Sequence, residues 1–426
     1  LQERVKILNF TFYFNNMKSA NSDTFVHIRH ACTSKFQAPF LIAAMLLLSL
    51  TGPVDSLAAS ANNRNFPIVP AIQANVNFWE KIYSTYSTSE AVIHDKYDLT
   101  KIYAVIPIID YLLPGAAQLN KPILETVKMR YSAILTHLAK GNPPRSKEEH
   151  RIAAMYKGAR KSQLLTASES IRAQIGQKER FREGVIRSGA YLPEIRRIFR
   201  SYNLPEELAY LPHVESSFNP DAYSKVGASG LWQFTRSTGK TYMRIDNLID
   251  ERQDPIIASH AAAKFLKKNH SLLDSWPLAL TAYNYGTSGM MRAKKSHGSY
   301  EKIFRGYQEG YFKFASRNFY PEFLAALKVA QKIEQDPSLR RHKPITTTTV
   351  RLKNHASAIT ISRNYKVNIN TLKALNPAIK ASAFQGKQRL PRGYQLKLPA
   401  TAQNHTKRPL TIKANQNLMK NRIYLQ

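Results

Sequence analysis

Residues 204–234 read LPEELAYLPHVESSFNPDAYSKVGASGLWQF, and Glu215 is the group in this stretch best placed to do chemistry. Leu208, Leu211 and Val214 precede it on what reads as an apolar helix, and the hydroxyls of Ser216 and Ser217 follow it. Burial penalises the charged form of a carboxyl group and so raises its pKa. A carboxylic acid that keeps its proton near neutral pH can donate it to a glycosidic oxygen. From spacing alone a second reading stands beside this one: a helix-end carboxylate, solvated or paired with a lysine. Other chemistries lack their residues. His213 and Glu215 do not make a His-Glu-x-x-His zinc site, and no other metal-ligand spacing occurs. The run Gly227-Ala228-Ser229-Gly230 is one residue short of a nucleophile elbow. With no phosphate-cradling glycine loop either, neither a metal nor a cofactor is expected.

The elements that would position Glu215 are short helices with clear start signals. Between residues 203 and 332, Pro205, Pro255 and Pro277 each suit a first helical turn, Asp254 suits a cap, and Gly286 suits a stop. Upstream, residues 62–77 carry Pro67 and Pro70 and read as an extended lead-in. Phe78, Trp79, Ile82 and Tyr83 then recur at helical spacing, and such a stripe is ordinarily core. Residues 122–138 and 151–200 continue the helical pattern, with a break at Pro143-Pro144. After Pro344 the composition changes. TTTTVRL, AITISRNY, NINTLKALNP and GYQLKLP predict a β-α-α-β module of about fifty residues. The tail, residues 401–426, is polar and basic with little to bury.

Four separated motifs together resemble the lysozyme-like soluble lytic transglycosylase (SLT) domain, of the membrane-bound lytic murein transglycosylase D type. They are Glu215-Ser216 with Phe218, Gly230-Leu231-Trp232-Gln233, Ala282-Tyr283-Asn284, and Tyr320 within RNFYPEFLAA. The resemblance runs through residues 176–331, and FWEKIYSTY resembles a stretch that such enzymes carry upstream. It implies a mainly α chain, and the resemblance together with residue patterning and composition predicts five parts. Residues 1–61 are an upstream extension and signal peptide, 62–175 an N-terminal helical region, and 176–335 a lysozyme-like catalytic domain. Residues 345–400 are a small β-α-α-β module that resembles a degenerate LysM domain, and 401–426 a basic disordered tail. The module shows Tyr365-Lys366-Val367 and Leu375-Asn376-Pro377, but departs at residues 354–359, where the family usually shows Gly-Asp-Thr-Leu.

The implied activity is cleavage of the bond between N-acetylmuramic acid and N-acetylglucosamine, leaving 1,6-anhydro ends. By the resemblance Glu215 is acid and then base, and Tyr320 holds it by a hydrogen bond. Ser216 braces the helix end and joins Ser217, Gly230 and Trp232 at the substrate. Gln233 and Asn284 bond sugar substituents, and Tyr283 forms the cleft floor. Glycosidases usually divide these tasks between two carboxylates, and substrate-assisted enzymes are among the exceptions. The alternatives are a peptidoglycan-binding protein without activity and a hydrolytic muramidase.

Composition fits an exported cell-wall protein. Lys plus Arg number 62 against 29 Asp plus Glu, a formal net charge of +33, which favours anionic cell wall or a membrane surface. No nucleic-acid module accompanies that charge, so the expected partner is the peptidoglycan strand. Lys18, Arg29 and Lys35 precede an apolar run at residues 40–50, with Gly52 and Pro53 breaking it and Ser56, Ala58, Ala59 and Ala61 following. That layout predicts a signal peptide cleaved after Ala58 or Ala61, and a periplasmic or secreted protein. The run falls short of the roughly 20 residues of a stable anchor. Cys32, the only cysteine, lies before it and not where a lipoprotein signal needs one.

Overall fold

A computed structural model describes residues 64–402. The expected signal peptide and basic tail lie outside these residues. The described chain is mainly α, as the motifs imply.

The first helix, α1 (Gln73–Ser84), buries Phe78, Trp79, Ile82 and Tyr83 as the stripe predicts. A small sheet then corrects the expectation of helices alone at residues 62–175. The strands β1 (Glu90–Asp95) and β2 (Ile102–Pro107) form a hairpin, and β3 (Ile171–Ile175) joins β1 from the other side, giving the antiparallel order β2-β1-β3. Central β1 is covered on both faces. Val92 packs into the main core and His94 against Phe78, while Ile93 faces a second core with Tyr103, Tyr131 and Leu135. Successive strand residues point to opposite faces, so one strand serves two cores. Between the hairpin and β3 lie α2 (Ala116–Ala139), α3 (Lys147–Met155) and α4 (Lys161–Glu169), which close the second core.

The main core is built by α5 (Lys178–Ser188), α6 (Leu192–Ser201), α7 (Leu211–Ser216), α8 (Arg236–Tyr242), α9 (Pro255–Leu273), α10 (Trp276–Tyr285), α11 (Thr287–His297), α12 (Tyr300–Gly306) and α13 (Phe314–Glu334). The start signals operate as read. Asp254 accepts from the amides of Ile256 and Ile257 at 3.0 and 3.2 Å, Pro255 and Pro277 sit in first turns, and Gly286 stops α10 at φ +100°. Pro205 stands just before a 3-10 turn (Glu206–Tyr210) that leads into α7.

The lead-in is part of the fold rather than a loose approach. Phe66 is buried against Trp276 and Phe323, with ring centroids 6.0 and 5.5 Å away. Helix α1 is stapled to α13 through Asn318, whose amide oxygen accepts from Asn75 at 2.8 Å and Trp79 at 3.2 Å. The first described residues therefore pack against the last large helix of the domain.

The C-terminal residues follow the β-α-α-β order, with one short addition: β4 (Thr347–Arg351), α14 (Ala358–Tyr365), α15 (Ile369–Leu375), α16 (Ala381–Phe384) and β5 (Gln395–Pro399), β4 pairing antiparallel with β5. This module has its own core, which also takes in Ile249 from the larger domain. It is docked, not tethered. The Asp250 amide donates to the Ala378 carbonyl and the Lys380 amide to that of Leu248, and Lys397 Nζ lies 2.6 Å from Asp254 Oδ2. No helix among the described residues is long and apolar enough to cross a membrane.

Candidate active site

Glu215 occupies the last turn of α7, and none of its surface is exposed. The helix stops there because Ser217 and Phe218 take left-handed backbone, at φ 52° and 53°. Two successive non-glycine residues in that region are strained, and surrounding contacts must hold them. They do: Arg187 on α5 donates to the Ser217 carbonyl at 2.8 Å, and Phe218 is wholly buried with its ring 4.5 Å from that of His213. His213 stacks near Phe181 and Tyr210 at 5.1 and 5.9 Å. Burial, reinforced by the charge of Arg187, brings the His213 pKa down to about 3, so the ring is neutral at physiological pH.

The loop carrying Gly230, Trp232 and Gln233 is held in place by several separate side chains, one of them, Ser216, on Glu215's helix. Ser216 Oγ donates to the Leu231 carbonyl at 2.8 Å. Gln233 Nε2 donates to the carbonyls of Ala222 and Gly230 at 3.1 and 2.9 Å, and Tyr283 Oη to that of Trp232 at 2.8 Å. Arg252, paired with Asp250 in the interior, donates to the carbonyls of Gly227 and Phe234 at 2.7 and 3.1 Å. Although burial acts to raise it, the Arg252 guanidinium holds the Asp250 carboxyl below its usual range. Gly230 is required by space: at φ +74°, a Cβ would lie 1.9 Å from the Arg252 carbonyl oxygen.

The other expected site residues are all close-packed. Trp232 is fully buried, stacks on Phe199 at 5.6 Å and donates to Ser259 at 2.8 Å. Ser217 is buried at the helix end. Tyr283 lies within the electrostatic reach of Glu215. Burial, and behind it the Glu215 charge, keeps its hydroxyl protonated well above the usual range. Asn284 accepts from Ser316 at 2.8 Å, while its amide nitrogen, itself buried, meets no protein acceptor.

Tyr320 corrects an expectation. Its hydroxyl donates to the Pro67 carbonyl at 2.9 Å and does not bond Glu215. A phenol has one proton to give, and the lead-in takes it. The carboxyl group that α13 does bring toward Glu215 belongs to Glu322, two residues further on. It accepts from the Tyr83 hydroxyl at 2.7 Å and feels the Glu215 charge. Sequence reading missed Glu322, Tyr83, Arg187 and Arg252 as members of the site. The only local signal was Glu322's place directly after Tyr320-Pro321.

Comparison with known proteins finds similarity in the region of this arrangement. Residues 195–304, which include Glu215, match the model of the transglycosylase SLT domain family. Membrane-bound lytic murein transglycosylase D of Escherichia coli is 34% identical over 114 residues, which is 26% of this chain and 25% of that protein. An Alteromonas protein named for tributyltin chloride resistance is 40% identical over 109 residues, 25% of this chain and 53% of its own. The chain thus spans between a quarter and about half of these relatives. Among solved structures, the 70 kDa soluble lytic transglycosylase of Escherichia coli aligns with 51% of this chain and 36% of its own at 16% identity and TM-score 0.30.

Proposed function

We propose that the protein is a lytic transglycosylase that cleaves peptidoglycan strands at the bond between N-acetylmuramic acid and N-acetylglucosamine, with Glu215 as its acid and base. The observation that carries this reading is the complete burial of Glu215 at the strained end of α7, inside an SLT domain. A carboxyl group removed from water favours its neutral form and so has a proton to give. In the proposed reaction Glu215 passes that proton to the bridging oxygen as the C1–O bond breaks. The resulting carboxylate then takes the proton of the muramic C6 hydroxyl while that oxygen bonds C1, and the 1,6-anhydro ring closes without water. The buried amide nitrogen of Asn284 is a donor suited to an N-acetyl carbonyl, and Gln233 and Tyr283 set the loop against which the sugars would lie. The docked C-terminal module, read as LysM-like, would add a second hold on the same strand. Export to the periplasm or beyond, where peptidoglycan is reached, belongs to the same proposal.

The test is a digest of purified sacculi with the wild type and with Glu215→Gln, analysed by mass spectrometry. Anhydromuropeptides from the wild type alone are expected. Reducing-end products would mean a hydrolytic muramidase, and no product from either protein would mean a glycan-binding protein.

A further inference from the structure

Beside the second core lies an open cleft whose lining residues all fall within 95–167, so none belongs to the Glu215 site. Its volume is about 570 Å³, within the roughly 300–1,000 Å³ of small-molecule sites, and it opens between the β1–β2 turn and the connection from α3 to α4. One carboxylate fixes its floor. Asp95 is only 5% exposed; its Oδ1 accepts from the amides of Tyr97 and Asp98 at 2.7 and 3.0 Å, and its Oδ2 from the hydroxyls of Tyr156 and Tyr103 at 2.8 and 3.2 Å. The turn and the end of α3 are thus tied to a single group. A carboxylate has about four acceptor positions, and with four donors on it Asp95 has none left for a ligand.

What the walls still offer is donors. Among the described residues the Lys157 ammonium is in no ion pair, and the Ser162 hydroxyl has no hydrogen-bond partner. Gln163 accepts the Arg160 amide through Oε1 at 2.8 Å, which leaves its amide nitrogen to give. Lys101 stands 4.9 Å from the Tyr156 ring centroid and shares its charge with Asp98. Tyr97, 61% exposed, adds an aromatic ring at the mouth. Donors without spare acceptors suit an ionised carboxylate, which only accepts, better than a bare sugar, whose hydroxyls must also donate. We propose, resting on the peptidoglycan reading above, that this cleft binds the carboxylate-bearing stem peptides of the polymer, as a site separate from the one that holds the sugars. Lys157, Ser162 and Gln163 supply the donors, and Tyr97 covers the apolar part of the peptide.

An NMR titration of the full chain, labelled with 13C at its methionine methyl groups, tests this. Met155 lines the cleft, whereas Met290 is wholly buried in the main core, so the two report on different regions. The probe is N-acetyl-L-alanyl-γ-D-glutamate, a stem fragment with two carboxylates. Its diamide lacks the charges, and an N-acetylglucosamine oligomer supplies sugar alone. The Met155 resonance should move with the dicarboxylate and saturate, and stay in place with the other two. In Lys157→Gln the half-saturation concentration should rise roughly tenfold, the worth of one hydrogen bond to a charged group. Tyr97→Ala should raise it as well. A shift as large with the diamide or with the oligomer overturns the carboxylate site, as does a Met155 resonance that the dicarboxylate does not move or a midpoint that Lys157→Gln leaves unchanged.

Both substituted side chains are exposed, so both variants should keep the melting temperature of the wild type. They should also retain less sacculus, while digesting glycan stripped of its peptides as fast as the wild type does. Equal losses on the two substrates overturn the proposal. The titration needs no cleavage, so the two readings fail separately. A sacculus digest without anhydromuropeptides overturns the transglycosylase reading and leaves Met155 to judge the cleft, whereas a productive digest with a silent Met155 overturns the cleft alone.

Discussion

At the scale of single residues, Gly230 and His213 measure how tightly the chain is packed around Glu215. Gly230→Ala adds a Cβ at positive φ and 1.9 Å from a backbone oxygen, so both strain and overlap oppose it. The backbone strain alone costs upwards of about 1 kcal/mol, and the overlap adds to that, so a lower melting temperature and poor recovery of folded protein are expected. His213 is expected to make the fold acid-sensitive. Its folded pKa is depressed from 6.5 to about 3, so its contribution is complete above 6.5 and lost as pH falls toward 3. His213→Phe should narrow the drop in melting temperature between pH 7 and pH 4, where the wild type loses on the order of a few kcal/mol from this group. An unchanged drop would mean that the ring gains its proton freely. The burial of Glu215 could be read from sequence because its apolar neighbours and the hydroxyls of Ser216 and Ser217 lie within a few residues of it. Glu322 could not, because its partner Tyr83 is 239 positions away.

Among elements, Asp254 joins two structures with one side chain. One oxygen caps α9 and the other meets Lys397 of the C-terminal module. Asp254→Asn should keep the cap, since an amide oxygen still accepts, and lose only the ion pair. Asp254→Ala should lose both, with about 1 kcal/mol attributable to the cap. Limited proteolysis at residues 335–346 would separate the effects: faster cleavage in both variants, but a lower melting temperature for the larger domain chiefly in the alanine variant. If the asparagine variant is cleaved no faster, the ion pair does not hold the module. Helix starts such as Asp254-Pro255 were legible because capping is local. The three-stranded sheet was not. The run at 90–95 is too short for periodicity to distinguish strand from helix, and β3, which completes it, arrives some 75 residues later from within an amphipathic basic stretch.

For the whole molecule, the net charge of +33 predicts attraction to the acidic mesh of stem peptides. Sacculus binding should weaken as salt rises, since the screening length is about 10 Å at 0.1 M and shortens further above that. Binding that is constant from low to high salt would assign retention to specific contacts alone. Charge and the mainly α class were legible from composition and pattern, whereas the docking of the two domains rests on backbone pairs such as Asp250 with Ala378 that no composition foretells.

The return of the first described residues onto α13 also orders events in time. Asn75, Trp79 and Tyr320 make bonds spanning 239 to 253 positions, and Phe66 waits for Phe323. A polypeptide emerging from a ribosome or a membrane pore with its amino end leading must hold α1 idle until roughly 240 further residues are out. Loop closure over such distances is slow. The surroundings of Glu215 to which α13 contributes are thus assembled among the last parts of the domain, and a nascent chain stalled before α13 has an incomplete candidate site.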